Sequence, residues 1–155
     1  MRARRSSSTS PRTRARLLHA YVHLAAFPDV HPGLKALKAR GLRLAILSNG
    51  EPRMLQAAAE SAGIASLLDE IISVEEVKIF KPSPRVYMLA PERLRLSNAE
   101  LRFVSSNSWD VAGAASAGLR ALWIQRSAAE PPDELGFVAE HVVHALTDLP
   151  PLLGR

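Results

Sequence analysis

The sequence predicts an α/β domain with a parallel sheet and right-handed crossovers. Three observations carry that prediction. Short apolar runs alternate with segments of helical spacing along residues 17–155, several runs end in small polar residues, and proline and glycine punctuate the helical segments.

Leu17, Leu18, Tyr21, Leu24 and Ala25 follow the i, i+3, i+4 spacing of a helix that stops before Pro28. Pro32 opens a second helix, with Leu34 and Leu37 turned inward, which ends at Gly41. LRLAILS at 42–48 reads as a buried parallel strand because its apolar run gives way to polar residues. A helix over 52–62 follows, between Pro52 and Gly63, and EIISV at 70–74 is the next strand. Ser83 and Pro84 supply an N-cap and first position for a helix over 84–94. A strand at 101–105, a helix at 109–117, a strand at 120–124 and a short strand at 141–143 complete the order.

At 155 residues, 47% hydrophobic and 23% charged, the chain has the size and composition of one globular domain with a buried core. No apolar run approaches the roughly 18 residues of a membrane span, so no membrane partner is expected. With no cysteine, disulfides and thiolate metal sites are excluded, and the cytoplasm, a reducing compartment, is the expected location.

The net charge of +5 belongs to one end. Residues 1–16 hold six arginines and no acid, and the 14 basic residues that remain are outnumbered by 15 acidic ones. MRARRSSSTSPRTRAR carries too little apolar surface to fold alone and is expected to be a disordered basic tail. Phosphate contact and a transit-peptide role are alternatives for it. A mis-chosen or out-of-frame start is the leading one, and nucleic acid is not an expected partner. His19 and His23, at i and i+4, offer only two ligands, so no metal site is expected there.

In parallel α/β sheets the ligand sits outside the carboxyl ends of the strands. That rule gathers Ser48-Asn49-Gly50, Lys81 and the segment from Ser105 to Asp110 at one mouth. Each has a plain structural reading as well. Ser, Asn and Gly suit a strand-to-helix turn, Lys81 suits a solvated surface, Tyr87, Trp109 and Trp123 suit a core, and Asp110 suits the first turn of any helix. Arg95 and Arg126 read as solvent-facing.

Taken together, LAILSNG, KIFKPSPRVY and FVSSNSWDVAGAASAG, in this order and spacing, resemble the second, third and fourth motifs of the haloacid dehalogenase superfamily, and more narrowly its L-2-haloacid dehalogenases. The resemblance runs from about Leu17 to Leu153. It implies a Rossmann-like parallel sheet, with residues 17–27 as the last helix of a cap domain and 28–155 as the core.

The resemblance also implies a reaction: hydrolysis of small (S)-2-haloalkanoic acids to 2-hydroxy acids through an aspartyl ester. By resemblance Ser48 and Asn49 bind the substrate carboxylate, Lys81 keeps the nucleophile ionised, and Asp110 orients Lys81 and the hydrolytic water. Tyr87 and Ser105 brace that network, Asn107 lies on the halide side, and Trp109 lines the pocket for the alkyl group. SSNSWD carries one carboxylate where metal-dependent phosphatases of the superfamily usually carry two, so the implied reaction needs no metal or other cofactor. The implied partners are the haloacid and halide, and, since dimers are common in the family, a second copy of the chain.

One motif has no counterpart. The family's nucleophilic aspartate ends the first strand, upstream of a cap domain, yet before Leu42 this sequence has a single acidic residue, Asp29, in a loop between two helices. The expectation is therefore a sheet that lacks its first, nucleophile-bearing strand and most of the cap, and a chain without activity alone. Two other readings stand beside it: a non-catalytic binding module with a basic arm, and a related hydrolase of another small acid.

Overall fold

A computed structural model describes residues 10–127, 129 and 135–153. The expected disorder of residues 1–9 lies outside the described residues. Residues 11–16, read from the sequence as part of the same tail, are instead helical: α1 spans Pro11–Val22. Ser10 explains the early start. Its hydroxyl accepts the Thr13 N–H at 3.2 Å, and Pro11 occupies the first position, where a missing N–H costs nothing. The helix packs against the first helix after β1, and Leu17, Tyr21 and Leu24, whose spacing predicted a helix, lie exposed, Leu24 beyond its end.

The remaining elements follow the expected order with shifted ends. They are α2 (Val30–Ala39), β1 (Ala45–Ser48), α3 (Pro52–Ser61), β2 (Glu70–Ser73), α4 (Pro84–Tyr87), α5 (Leu89–Leu94), β3 (Arg102–Ser105), α6 (Ser108–Ser116), β4 (Arg120–Ile124) and β5 (His141–Val143). Two departures have clear causes. The expected helix over 84–94 is broken at Met88, near Pro91, which has no N–H to give the ladder. Helix α2 begins two residues before Pro32, with Asp29 at its N-cap position. Ser83 makes no side-chain capping bond at α4, where Pro84 alone marks the start.

Every strand pairing is parallel. Ala45 to Ser48 lie opposite Glu70 to Ser73, Arg102 to Ser105 opposite Arg120 to Trp123, and Leu122 to Ile124 opposite His141 to Val143. The ladders form two sheets, β1-β2 and β3-β4-β5. Two apolar clusters flank them. Tyr87, Val111, Ala114, Leu119 and Trp123 form one, against which Leu47 of β1 and Phe103 of β3 pack. Leu37, Leu122, Ile124, Val143 and Leu149 form the other, against which Leu44 and Val104 pack. Leu47 of β1 and Leu44 just before it, like Phe103 and Val104 of β3, thus face opposite clusters, as the two-residue period of a strand requires. Burying each such Leu, Ile or Val side chain stabilises the fold by about 1.5–3 kcal/mol. No described helix is long and apolar enough to cross a membrane.

Candidate active site

Strands are parallel within each sheet, and hydrogen bonds through Lys81 bring the residue after β1, Asn49, together with Ser105 at the end of β3 and Asp110. Ser48 closes β1, Ser105 closes β3, and α6 starts three residues after Ser105, which puts Asp110 in its first turn. Lys81 arrives in the loop between β2 and α4.

Asp110 is the centre of the arrangement. Its Oδ2 accepts hydrogen bonds from Lys81 Nζ at 3.0 Å and Ser105 Oγ at 3.0 Å, and its Oδ1 accepts from Tyr87 Oη at 2.8 Å. The Lys81 and Asp110 side chains are only 6% and 7% exposed, so solvent screens this ion pair little. The Lys81 ammonium also lies 4.8 Å from the centre of the Phe103 ring and 5.8 Å from that of Tyr87, within range of a cation–π attraction. Burial pulls the Lys81 pKa below its ordinary value, opposed by the charge and hydrogen bond of Asp110. Burial, helped by Asp110, pushes the Tyr87 phenol far up, so it acts only as a hydrogen-bond donor.

The backbone of the lysine loop is anchored too. Lys81 N–H donates to Asn49 Oδ1 at 2.9 Å, which ties the end of β1 to the loop that serves Asp110. Asn49 keeps its NH₂ group to donate elsewhere. Ser48 Oγ accepts the Gly50 N–H at 3.1 Å and keeps its own O–H to donate. Asn107 contributes its backbone N–H to Ser105 Oγ at 3.2 Å while its exposed side-chain amide engages no described residue. Trp109 is 38% exposed at the start of α6. The structure therefore joins Lys81, Tyr87, Ser105 and Asp110 directly, ties Asn49 to them through the Lys81 backbone, and leaves the polar groups of Ser48 and Asn107 open at the same mouth.

Three contributors were not singled out from the sequence. A Cβ at Gly113 would fall 2.4 Å from Tyr87 Oη and 2.9 Å from Pro82 Cβ, so glycine there lets α6 close on the tyrosine. Ser73, buried at the end of β2, donates to Gly50 O at 2.7 Å and holds the turn after β1. Phe103 lies under the ammonium; its spacing of two from Ser105 on one strand was the available signal. Arg126, read as solvent-facing, is not: its guanidinium grips Asp29 through two bonds of 3.0 and 3.1 Å and covers the Phe27 ring at 4.0 Å.

Among the described residues no three His, Asp or Glu side chains converge as a metal site would need. Asp110 is paired with Lys81.

A buried lysine–carboxylate pair thus lies at the carboxyl end of a parallel α/β sheet, with serine, asparagine and tyrosine around it. The model of the haloacid dehalogenase-like hydrolases matches residues 8–118, and this chain belongs to that family. Within it, the chain is similar to (S)-2-haloacid dehalogenase 1 of Pseudomonas sp. (strain CBS-3), with 45% identity over 90% of this chain and 61% of the relative. It is also similar to (S)-2-haloacid dehalogenase 4A of Burkholderia cepacia, with 41% identity over 90% of this chain and 60% of the relative. The solved L-2-haloacid dehalogenase from Xanthobacter autotrophicus with chloropropionic acid covalently bound superposes with a TM-score of 0.86 at 34% identity, over 93% of this chain and 67% of that one. A haloacid dehalogenase-family phosphatase from Thermococcus onnurineus shares the fold at a TM-score of 0.77 and 29% identity, over 91% of this chain and 64% of that one. The chain spans about 60% of the length of the dehalogenases named here by sequence.

Proposed function

We propose that this chain supplies the charge-positioning and carboxylate-binding part of a hydrolase that removes halide from small (S)-2-haloalkanoic acids. The observation that carries the reading is the buried Lys81–Asp110 pair, with Asp110 held by Ser105 and Tyr87, in a segment SSNSWD that has one acidic residue. The similarity to (S)-2-haloacid dehalogenases, rather than the fold it shares with a phosphatase, supports the choice of substrate class.

In this reading an aspartate carboxylate, from the part of the related dehalogenases that this chain does not cover, attacks C2 of the haloacid. A C–O bond forms as the carbon–halogen bond breaks, halide leaves with the electron pair, and C2 inverts. Water then adds to the ester carbonyl of the aspartate. The 2-hydroxy acid departs and the carboxylate is regenerated, with one proton released overall. Lys81 uses N–H groups not directed at Asp110 to hold the attacking carboxylate ionised and aimed. Asp110 orients Lys81 and the water. Ser48 O–H and the Asn49 NH₂ group bind the substrate carboxylate in place of its lost water, Asn107 faces the leaving halide, and Trp109 covers the alkyl group. None of these steps calls on a metal ion.

The test is reconstitution. The chain joined to the N-terminal part of a related dehalogenase is expected to release halide from (S)-2-chloropropionate, to leave the R enantiomer intact, and to be indifferent to EDTA. The chain alone is expected to release none. Magnesium-dependent phosphatase activity without halide release overturns the reading.

A further inference from the structure

The Lys81 ammonium has few polar partners for a buried cation. Its side chain is 6% exposed, and among the described residues its three N–H donors make one hydrogen bond, to Asp110 Oδ2. Asp110 in turn divides its two oxygens among Lys81, Ser105 and Tyr87, so its charge does not serve the ammonium alone.

Aromatic rings cover much of the rest. Lys81 Nζ lies over the Phe103 ring, 4.8 Å from its centroid, and 5.8 Å from that of Tyr87. The two rings meet edge to face, with centroids 5.5 Å apart and planes at 88°. The sheet fixes Phe103 in this place. It lies opposite Ala121 of β4, packs against the cluster that holds Val111, Leu119 and Trp123, and shares a strand face with Ser105, whose hydroxyl bonds Asp110. One face of β3 thus supplies a ring for the cation and a hydroxyl for the anion of the same ion pair.

We propose that Phe103 is a positioning residue for Lys81: the electron-rich face of its ring holds the ammonium in place and sustains its positive charge where water hardly reaches. A ring face attracts a cation within about 6 Å of its centroid, most strongly when the cation is desolvated. Burial disfavours the charge and Asp110 sustains it. The ring acts in the same direction as Asp110 but has no acceptor atom that would fix the direction of a donor. The ammonium therefore keeps the freedom to turn an N–H toward a second anion. In the dehalogenase reading that anion is the attacking carboxylate, and this consequence rests on that reading; support of the charge by the ring does not. Among the described residues the titratable groups facing the ammonium are Asp110 of α6 and Tyr87 of α4, and burial keeps the tyrosine a neutral phenol.

The test grades the ring and leaves its size nearly unchanged. In the whole chain, Phe103 alone is replaced, at an amber codon, by phenylalanines carrying one, two and three ring fluorines, which withdraw electron density from the ring face. Lys81 is followed by NMR titration of its Nζ group, assigned with Lys81→Arg, and Lys35, exposed on α2, is the internal reference. The Lys81 midpoint is expected to fall stepwise, by about half a pH unit or more at three fluorines, while that of Lys35 stays fixed. Phe103→Leu, apolar but without a ring, is expected to lower the Lys81 midpoint at least as far. A role in packing alone predicts no order along the fluorine series.

A Lys81 midpoint indifferent to fluorination in a folded chain overturns the proposal, as does an equal fall at Lys35. The fluorinated forms keep the test decisive if Phe103→Leu does not fold. In the reconstituted enzyme the same series is expected to slow halide release in the same order. Stepwise Lys81 midpoints without any halide release uphold the ring contact and count against the dehalogenase reading, so the two fail separately.

Discussion

Lys81 Nζ lies 3.0 Å from Asp110 Oδ2, and neither side chain is as much as a tenth exposed. The pair links the loop before α4 to the first turn of α6, 29 residues further on, and places a positive charge at the ends of β1 and β3. Burial disfavours that charge while Asp110 sustains it. An NMR titration of the lysine Nζ groups is therefore expected to give Lys81 a midpoint below the ordinary 10.5. In Asp110→Asn the midpoint falls further, because the carboxylate that opposes burial is removed. A midpoint that rises in Asp110→Asn contradicts the geometry.

In the reconstituted enzyme, Lys81→Ala is expected to cut halide release by a factor of about a thousand or more, roughly 4 kcal/mol in the barrier. The variant also leaves Asp110 buried without its cation, so lost structure has to be separated from lost chemistry. Lys81→Met with Asp110→Asn removes both charges and is expected to recover stability, measured by denaturant unfolding, without recovering turnover. Retention of more than about a tenth of the rate in Lys81→Ala, about 1.4 kcal/mol, places the reacting carboxylate elsewhere.

Gly113 has no polar group, yet it sets the fit of Tyr87 on α6. Gly113→Ala drives a methyl group to 2.4 Å from the tyrosine hydroxyl and is expected to cost about 1–3 kcal/mol by overpacking. Tyr87→Phe leaves Asp110 Oδ1 without this donor and destabilises for a different reason. Since the phenylalanine also takes away the clashing oxygen, the double variant is expected to be more stable than the two single effects added together. Strict additivity in a thermal melt disproves the contact.

The local signals in the sequence were strong where one residue type has one physical use. Pro52 and Pro84 mark the starts of α3 and α4, and the apolar run before Ser48 contains β1. Strands 120–124 and 141–143 appear at the expected residues. Lys81, Ser105 and Asp110 were legible as a group because three polar clusters had to share one end of a parallel sheet, whereas Tyr87, which reads as core by itself, joined them only through the family resemblance. What was not legible depends on packing between distant segments. Asp29 looked like a loop acid and Arg126 like a surface cation because, at a sequence separation of 97, nothing between them hints that they meet. The tail was misread through its composition: six arginines concealed the Ser10-Pro11 helix start.

The Asp29–Arg126 pair carries the last prediction. Asp29 accepts two hydrogen bonds from the guanidinium and one of 2.7 Å from Leu146 N–H, fastening the start of α2 to the loop after β4 and to the turn before Leu149. Arg126, foremost, and the Leu146 N–H hold the Asp29 carboxyl below its ordinary 3.8, against the opposing effect of burial. A depressed carboxylate stabilises the fold fully above the unfolded-state value, and that contribution is lost as pH falls through the lower folded-state value. Arg126→Ala is therefore expected to lower unfolding free energy on the order of 1–2 kcal/mol at neutral pH. Arg95→Ala, at an exposed helix end, is expected to change it by less than about 0.5 kcal/mol. Denaturant unfolding repeated from pH 7 downward has to show the gap between parent and Arg126→Ala constant to about pH 4 and shrinking below it. A gap that stays constant to pH 2 means that Arg126 acts through its packing on Phe27 and not through the Asp29 carboxylate.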